Sequence, residues 1–198
     1  MIRRILISFC LAGLASLHAQ ETLKPPSSFE YIDDERLRSQ EIFRELGKVL
    51  QHPRCVNCHP DGNSPLQGNA GNQHLHHPMV VRGEDTHGVP AMKCGTCHAV
   101  ENVTVTDQWA MPGHDPWHLA PAEMAWEGKT LAQICEQLKD MDRNGGKTPD
   151  DMIKHMAEDG LVGWGWKPGE GRDPVPGSQK LAGDLTRAWY ATGAHCPD

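Results

Sequence analysis

Large side chains for a core are scarce in this sequence. Its 198 residues hold only three Phe and two Tyr against 20 Gly and 15 Pro, and 38% of residues are hydrophobic. That is thin material for an ordinary core, so a fold built on aliphatic and aromatic packing alone is disfavoured. Past the first 19 residues no apolar run approaches the ~18 residues that a bilayer span requires. Positive charge is also short: 19 Lys and Arg stand against 26 Asp and Glu. An acidic balance argues against a nucleic-acid binder or a ligand of anionic membrane surfaces. It suits solubility, or a partner that docks through a basic patch.

The start of the chain has its own logic. Met1-Ile2-Arg3-Arg4 precedes an apolar run over 5–17 and then His18-Ala19-Gln20. A short basic start, an apolar centre and a small residue at the end describe a secretory signal peptide, so cleavage is expected after Ala19. Cys10 falls inside the apolar run and reads as part of it. Without residues 1–19 the chain keeps 17 basic and 26 acidic residues, a formal charge of −9. An exported, periplasmic protein is expected, with 20–32 as a flexible leader and 33–198 as one folded domain.

What the chain does have is one motif, twice. Cys55-Val56-Asn57-Cys58-His59 and Cys94-Gly95-Thr96-Cys97-His98 both follow Cys-x-x-Cys-His, the attachment pattern of c-type haem. Two thiols one helical turn apart add to the two vinyl groups on one porphyrin edge. The histidine that follows then binds the iron from below. A shared zinc is the competing reading, but zinc-ribbon pairs lie about 15–20 residues apart, whereas 35 residues separate Cys58 from Cys94. Zinc also gives no reason for a histidine after both second cysteines. A thioredoxin-like dithiol wants a βαβ pattern, and none is visible. Two c-type haems are therefore expected, on Cys55, Cys58 and His59 and on Cys94, Cys97 and His98. Two porphyrins would also supply the apolar bulk the composition lacks, and without them the chain is expected to be largely unfolded.

An electron carrier needs a sixth ligand on each iron, supplied by His or Met. The irregular stretch 60–89 holds His74, His76, His77, Met79 and His87. For the first iron His77 or His76 is expected. For the second, His114, His118 or Met111 from the irregular stretch 100–122 compete, with histidine preferred. His155 is an outside candidate and reads as exposed.

The fold expected is mainly α with long irregular loops and little or no sheet. Ile42, Leu46, Val49 and Leu50 share a helical face over 33–50, with acids at its start. Thr130 introduces Leu131, Ile134, Cys135 and Leu138 on another. Thr148-Pro149-Asp150-Asp151 opens a third helix that turns Met152, Ile153 and Met156 inward. A last helix over 178–192 carries Leu181, Leu185, Ala188 and Trp189. The stretch 161–177 reads as loop, its Trp164 and Trp166 set either against a cofactor or in the core. Cys135 and Cys196 are expected to pair in an oxidising compartment.

Beyond single motifs, five stretches resemble a group of secreted dihaem proteins labelled as subunits of isoquinoline 1-oxidoreductase, a molybdenum hydroxylase. They are His52-Pro53-Arg54-Cys55-Val56-Asn57-Cys58-His59, Gly88-Val89-Pro90-Ala91-Met92-Lys93-Cys94, Trp117-His118-Leu119-Ala120-Pro121, Asn144-Gly145-Gly146-Lys147-Thr148 and Leu161-Val162-Gly163-Trp164-Gly165-Trp166. The resemblance covers about 41–197. It implies an electron acceptor that drains such a dehydrogenase toward a respiratory acceptor, and it carries over only the six residues of the two motifs. The chain has no molybdopterin-sized domain and no plant-type iron–sulfur spacing, so it is not expected to hydroxylate a substrate itself. The rival of a different class is a dihaem, peroxidase-like enzyme with one open iron. A haem-based sensor would need an output domain that the chain does not carry.

Overall fold

The computed structural model describes residues 22–198. The signal-peptide reading therefore lies outside the described residues. Among them the structure is mainly helical, with three small antiparallel strand pairs.

Helix α1 (Glu35–Leu50) starts at Asp34, whose carboxylate accepts the Leu37 amide at 2.7 Å. Its inward stripe of Ile42, Phe43, Leu46, Val49 and Leu50 is almost wholly buried. A four-residue helix, α2 (Pro53–Val56), follows and begins the first motif. Helices α3 (Leu131–Lys139) and α4 (Pro149–Glu158) each open with a capping box, from Thr130 with Gln133 and from Thr148 with Asp151. The expected inward residues Met152, Ile153 and Met156 are buried. Helix α6 (Gln179–Ala191) lays Leu185 and Trp189 into the same core, with Trp189 tilted against Phe43 at 4.7 Å between ring centres. One cluster joins α1, α3, α4 and α6, and the expected Cys135–Cys196 pair sits in it with its sulfurs 2.10 Å apart.

Helices α4 and α6 approach so closely that Gly183 has no room for a side chain. A Cβ there would stand 2.4 Å from the Ala157 Cβ and 2.8 Å from its Cα. Alanine's better helix propensity is worth up to about 1 kcal/mol, while overpacking against backbone costs about 1–3 kcal/mol. Gly183→Ala is therefore expected to destabilise the fold by about 1–2 kcal/mol, read as a lowered denaturation midpoint. A more stable variant would show that the contact yields.

Three expectations need correction. Residues 22–32 are no flexible leader: Leu23 and Phe29 are buried, and the Lys24 amide donates to the Glu45 carboxylate at 2.9 Å. Their anchor is a 3-10 turn (Pro26–Phe29) against α1, a contact that apolar periodicity does not reveal in so short a segment. The loop after α4 contains a short helix, α5 (Gly160–Trp164), capped by Asp159. The stretch 100–122 holds a strand pair, Val103–Thr106 (β5) with Trp109–Met111 (β6). The β-branched run Val-Thr-Val-Thr was its signal. The other pairs are two residues long: Leu66–Gln67 (β1) with His74–Leu75 (β2), and Gly88–Val89 (β3) with Met92–Lys93 (β4).

Candidate haem-binding sites

Both motifs fold as a single helical turn. In the first, the Cys58 amide donates to the Cys55 carbonyl at 3.0 Å and the His59 amide to Val56 at 3.0 Å. In the second, a 3-10 turn (Cys94–Thr96), Cys97 donates to the Cys94 carbonyl at 3.2 Å and His98 to the same oxygen at 3.0 Å. This turn brings each pair of thiols to one side with the histidine just beyond.

The two histidines are held alike, although the sequences around them differ. His59 Nδ1 lies 2.7 Å from the Met124 carbonyl oxygen, and His98 Nδ1 lies 2.8 Å from that of Pro112. A carbonyl can only accept, so Nδ1 carries the proton and Nε2 keeps its lone pair in both rings. A tryptophan covers each ring: Trp126 stacks on His59 at 3.6 Å and 8°, and Trp117 on His98 at 4.4 Å and 10°. Burial lowers the pKa of both histidines, that of His59 to about 3, with the nearby Arg82 and Lys147 adding to the effect. Each is thus a neutral imidazole with its tautomer and rotation fixed, the state in which histidine binds metals.

The first motif borders a cleft of about 140 Å³, lined by Cys55, Cys58 and His59. Leu50, Met124, Leu138, Met152, Met156 and Leu161 make it largely apolar. Backbone bonds lock the motif to the 120–127 segment: Ala120 donates to the Cys58 carbonyl at 3.1 Å and Trp126 to that of His59 at 2.8 Å. Arg82 clips the long loop in place, donating to the carbonyls of Ala120 and, at 3.0 Å, Gly62. The second motif is more open: Cys97 is exposed, and Cys94 and His98 are half-buried.

Cys55, Cys58 and Cys94 are not tuned as reactive thiolates. Burial pushes Cys55 up to about 12 and Cys58 up to about 11, and it raises Cys94 as well. A reactive dithiol needs the opposite shift. Nor do the pairs converge on one ion, since no group of three or more His, Cys, Asp or Glu among the described residues is arranged to hold a metal.

The four histidines among the distal candidates part company. His118 lines the first cleft. The His76 ring lies 6.1 Å from that of His98, at the second motif rather than at the first, where the sequence reading set it. His77 pairs with His74 at 6.1 Å between ring centres. His114 packs its Nε2 onto Gly160, where a Cβ would come within 2.4 Å. His155, read as exposed, is half-buried and lines the first cleft with Met152, Met156 and Asp159. The 3.6 period of α4 held that signal, because His155 lies three residues after Met152 and beside Met156.

Aromatic contact links the sites. Trp164 lines the first cleft and meets Trp117 edge-on, with ring centres 5.0 Å apart and planes at 88°. The Trp164 indole N–H donates to Asn102 at 2.8 Å, which fixes it against the strand pair. Trp166 instead packs at the edge of the core. No family model, no curated protein and no solved structure matches this chain.

Proposed function

We propose that this chain is an exported electron-transfer protein that carries two covalently attached c-type haems. The observation that carries the reading is the repeated site: two Cys-x-x-Cys-His turns, each with its histidine Nδ1 on a backbone carbonyl and a tryptophan over the ring. The residues fit the cofactor. The first cleft is lined mainly by apolar side chains, with both thiols and the histidine of the motif on its wall. Two buried donors at that site, Arg54 Nε and Trp126 Nε1, have no hydrogen-bond partner among the described residues. A bound cofactor with carboxylate groups would give them acceptors.

Bound haem supplies a one-electron ferric/ferrous couple. The chain would hold each cofactor through the two thiols of its motif, Cys55 and Cys58 or Cys94 and Cys97, and would offer His59 or His98 to its iron. Its Met124 and Pro112 carbonyls keep those rings oriented, and Met152, Met156 and Leu138 exclude water from the first site. The Trp164–Trp117 contact supports exchange between the two sites.

The donor we propose is a molybdenum hydroxylase-type dehydrogenase, and the onward acceptor a respiratory carrier. Hydroxylation by water, R–H + H₂O → R–OH + 2 H⁺ + 2 e⁻, releases two electrons, one for each site, while the protons pass to solvent. The acidic surface favours partners with a basic docking patch. Among the described residues no helix is long and apolar enough to cross a membrane.

The test is a haem-to-protein ratio on the exported protein, with low-temperature EPR of its oxidised form. Two haems per chain and two low-spin signals are expected. One stoichiometric high-spin signal would overturn the carrier reading in favour of a peroxidase-like enzyme.

A further inference from the structure

The first cleft contains a histidine that the fold has prepared in the same manner as the proximal ones. His155 Nδ1 lies 3.2 Å from Asp159 Oδ2, so its proton is committed to a carboxylate and Nε2 is the remaining lone pair. Asp159 is itself fixed, because its other oxygen accepts the Val162 amide at 3.0 Å and caps α5. Carboxylate–histidine pairs of this kind orient metal-bound imidazoles and raise their basicity. The wall on which His155 stands, with Met152, Met156, Leu161 and Val162, comes from α4 and α5, far in sequence from the motif it faces.

The second site offers a counterpart. An iron about 2 Å from each of two imidazole nitrogens sets the ring centres about 6 Å apart, and the His76 and His98 rings are 6.1 Å apart. His76 Nδ1 is 2.9 Å from the Pro78 carbonyl, which leaves its Nε2 available. The similarly spaced His74–His77 pair does not qualify, because Asn72 and Gln67 take both nitrogens of His74, at 2.9 and 3.0 Å.

Resting on the haem reading above, we infer that His155, positioned by Asp159, is the sixth ligand of the first iron and His76 that of the second. Both centres are then bis-histidine. His118 also lines the first cleft, but its Nδ1 bonds only the carbonyl of its own neighbour Leu119, at 2.9 Å, and its ring packs 4.9 Å from His87. Among the described residues its Nδ1 meets a backbone carbonyl rather than a carboxylate.

The experiment uses the exported full-length protein and its His155→Ala, His76→Ala and His118→Ala variants. Haem content, EPR and carbon monoxide binding to the reduced protein are measured. His155→Ala and His76→Ala are each expected to keep two haems, convert one low-spin signal to high-spin, and bind one equivalent of carbon monoxide. Added imidazole should restore the low-spin signal. Two unchanged low-spin signals in either variant overturn that assignment, as does conversion in His118→Ala instead. A far-red sulfur-to-iron band in the unsubstituted protein would also overturn it, in favour of Met152 or Met156. Asp159→Asn still caps α5 and should raise the midpoint potential of one haem while both stay low-spin; unchanged potentials refute the positioning role. Fewer than two haems in the unsubstituted protein would instead overturn the haem reading itself.

Discussion

Cys58→Ala protein is expected to leave the cell with one covalent haem per chain where the unsubstituted protein carries two, and Cys97→Ala likewise. Each substitution removes one of the two thioethers of its site, and the remaining thiol is not expected to complete stable attachment. A stain for covalent haem after denaturation, set against protein mass, reads the change. Retention of two haems in either variant would sink the covalent assignment. The two variants should differ in stability. At the first site the cofactor would fill a cleft walled by Leu50, Leu138, Met152 and Met156, all four of which belong to the common core. Losing it costs at least about 3 kcal/mol, the scale of emptying a buried aromatic site. At the second site Cys97 is exposed and the neighbouring 99–101 segment is exposed too, so Cys97→Ala should unfold much closer to the unsubstituted protein.

Removal of the Cys135–Cys196 bond is the second large effect. The bond closes a separation of 61 positions and ties α3 to the end of the chain. On the chain-entropy estimate a loop of that length is worth about 4 kcal/mol. A Cys135→Ser, Cys196→Ser double variant is expected to lose that much in denaturant unfolding, with haem content still at two. The surroundings support a folded but weakened product, because the last residues keep other ties: Gln40 donates to the Cys196 carbonyl at 2.8 Å, and the Trp189 indole donates to His195 at 3.1 Å. A loss under about 1 kcal/mol would show that these ties, rather than the covalent bond, order the C-terminal segment.

The long helices were legible because each carried two agreeing signals. Helix α3 had Thr130 at its start and Ile134, Cys135 and Leu138 on one face, and α4 had Thr148, Pro149 and an inward methionine stripe. Short elements carried only one. The turn at Pro26–Phe29 is anchored through Phe29 by contacts with α1 and α6 that no local pattern announces. Helix α5 depends on Asp159, which a linear reading takes as one more acid at the end of α4.

The sequence by itself determined the candidate attachment chemistry, since Cys-x-x-Cys-His places its three groups within one turn wherever that turn is formed. It also determined the helical class and the pairing of Cys135 with Cys196. Only the tertiary structure decided which distant side chains stand near each proximal histidine. His76 lies beside His98, His155 shares the cleft with His59, and His77 and His114 are drawn elsewhere. The physical reason is one of range. An attachment turn is held by hydrogen bonds spanning three or four residues, whereas a sixth ligand depends on how α4 and the 60–90 loop pack against segments far away in the chain.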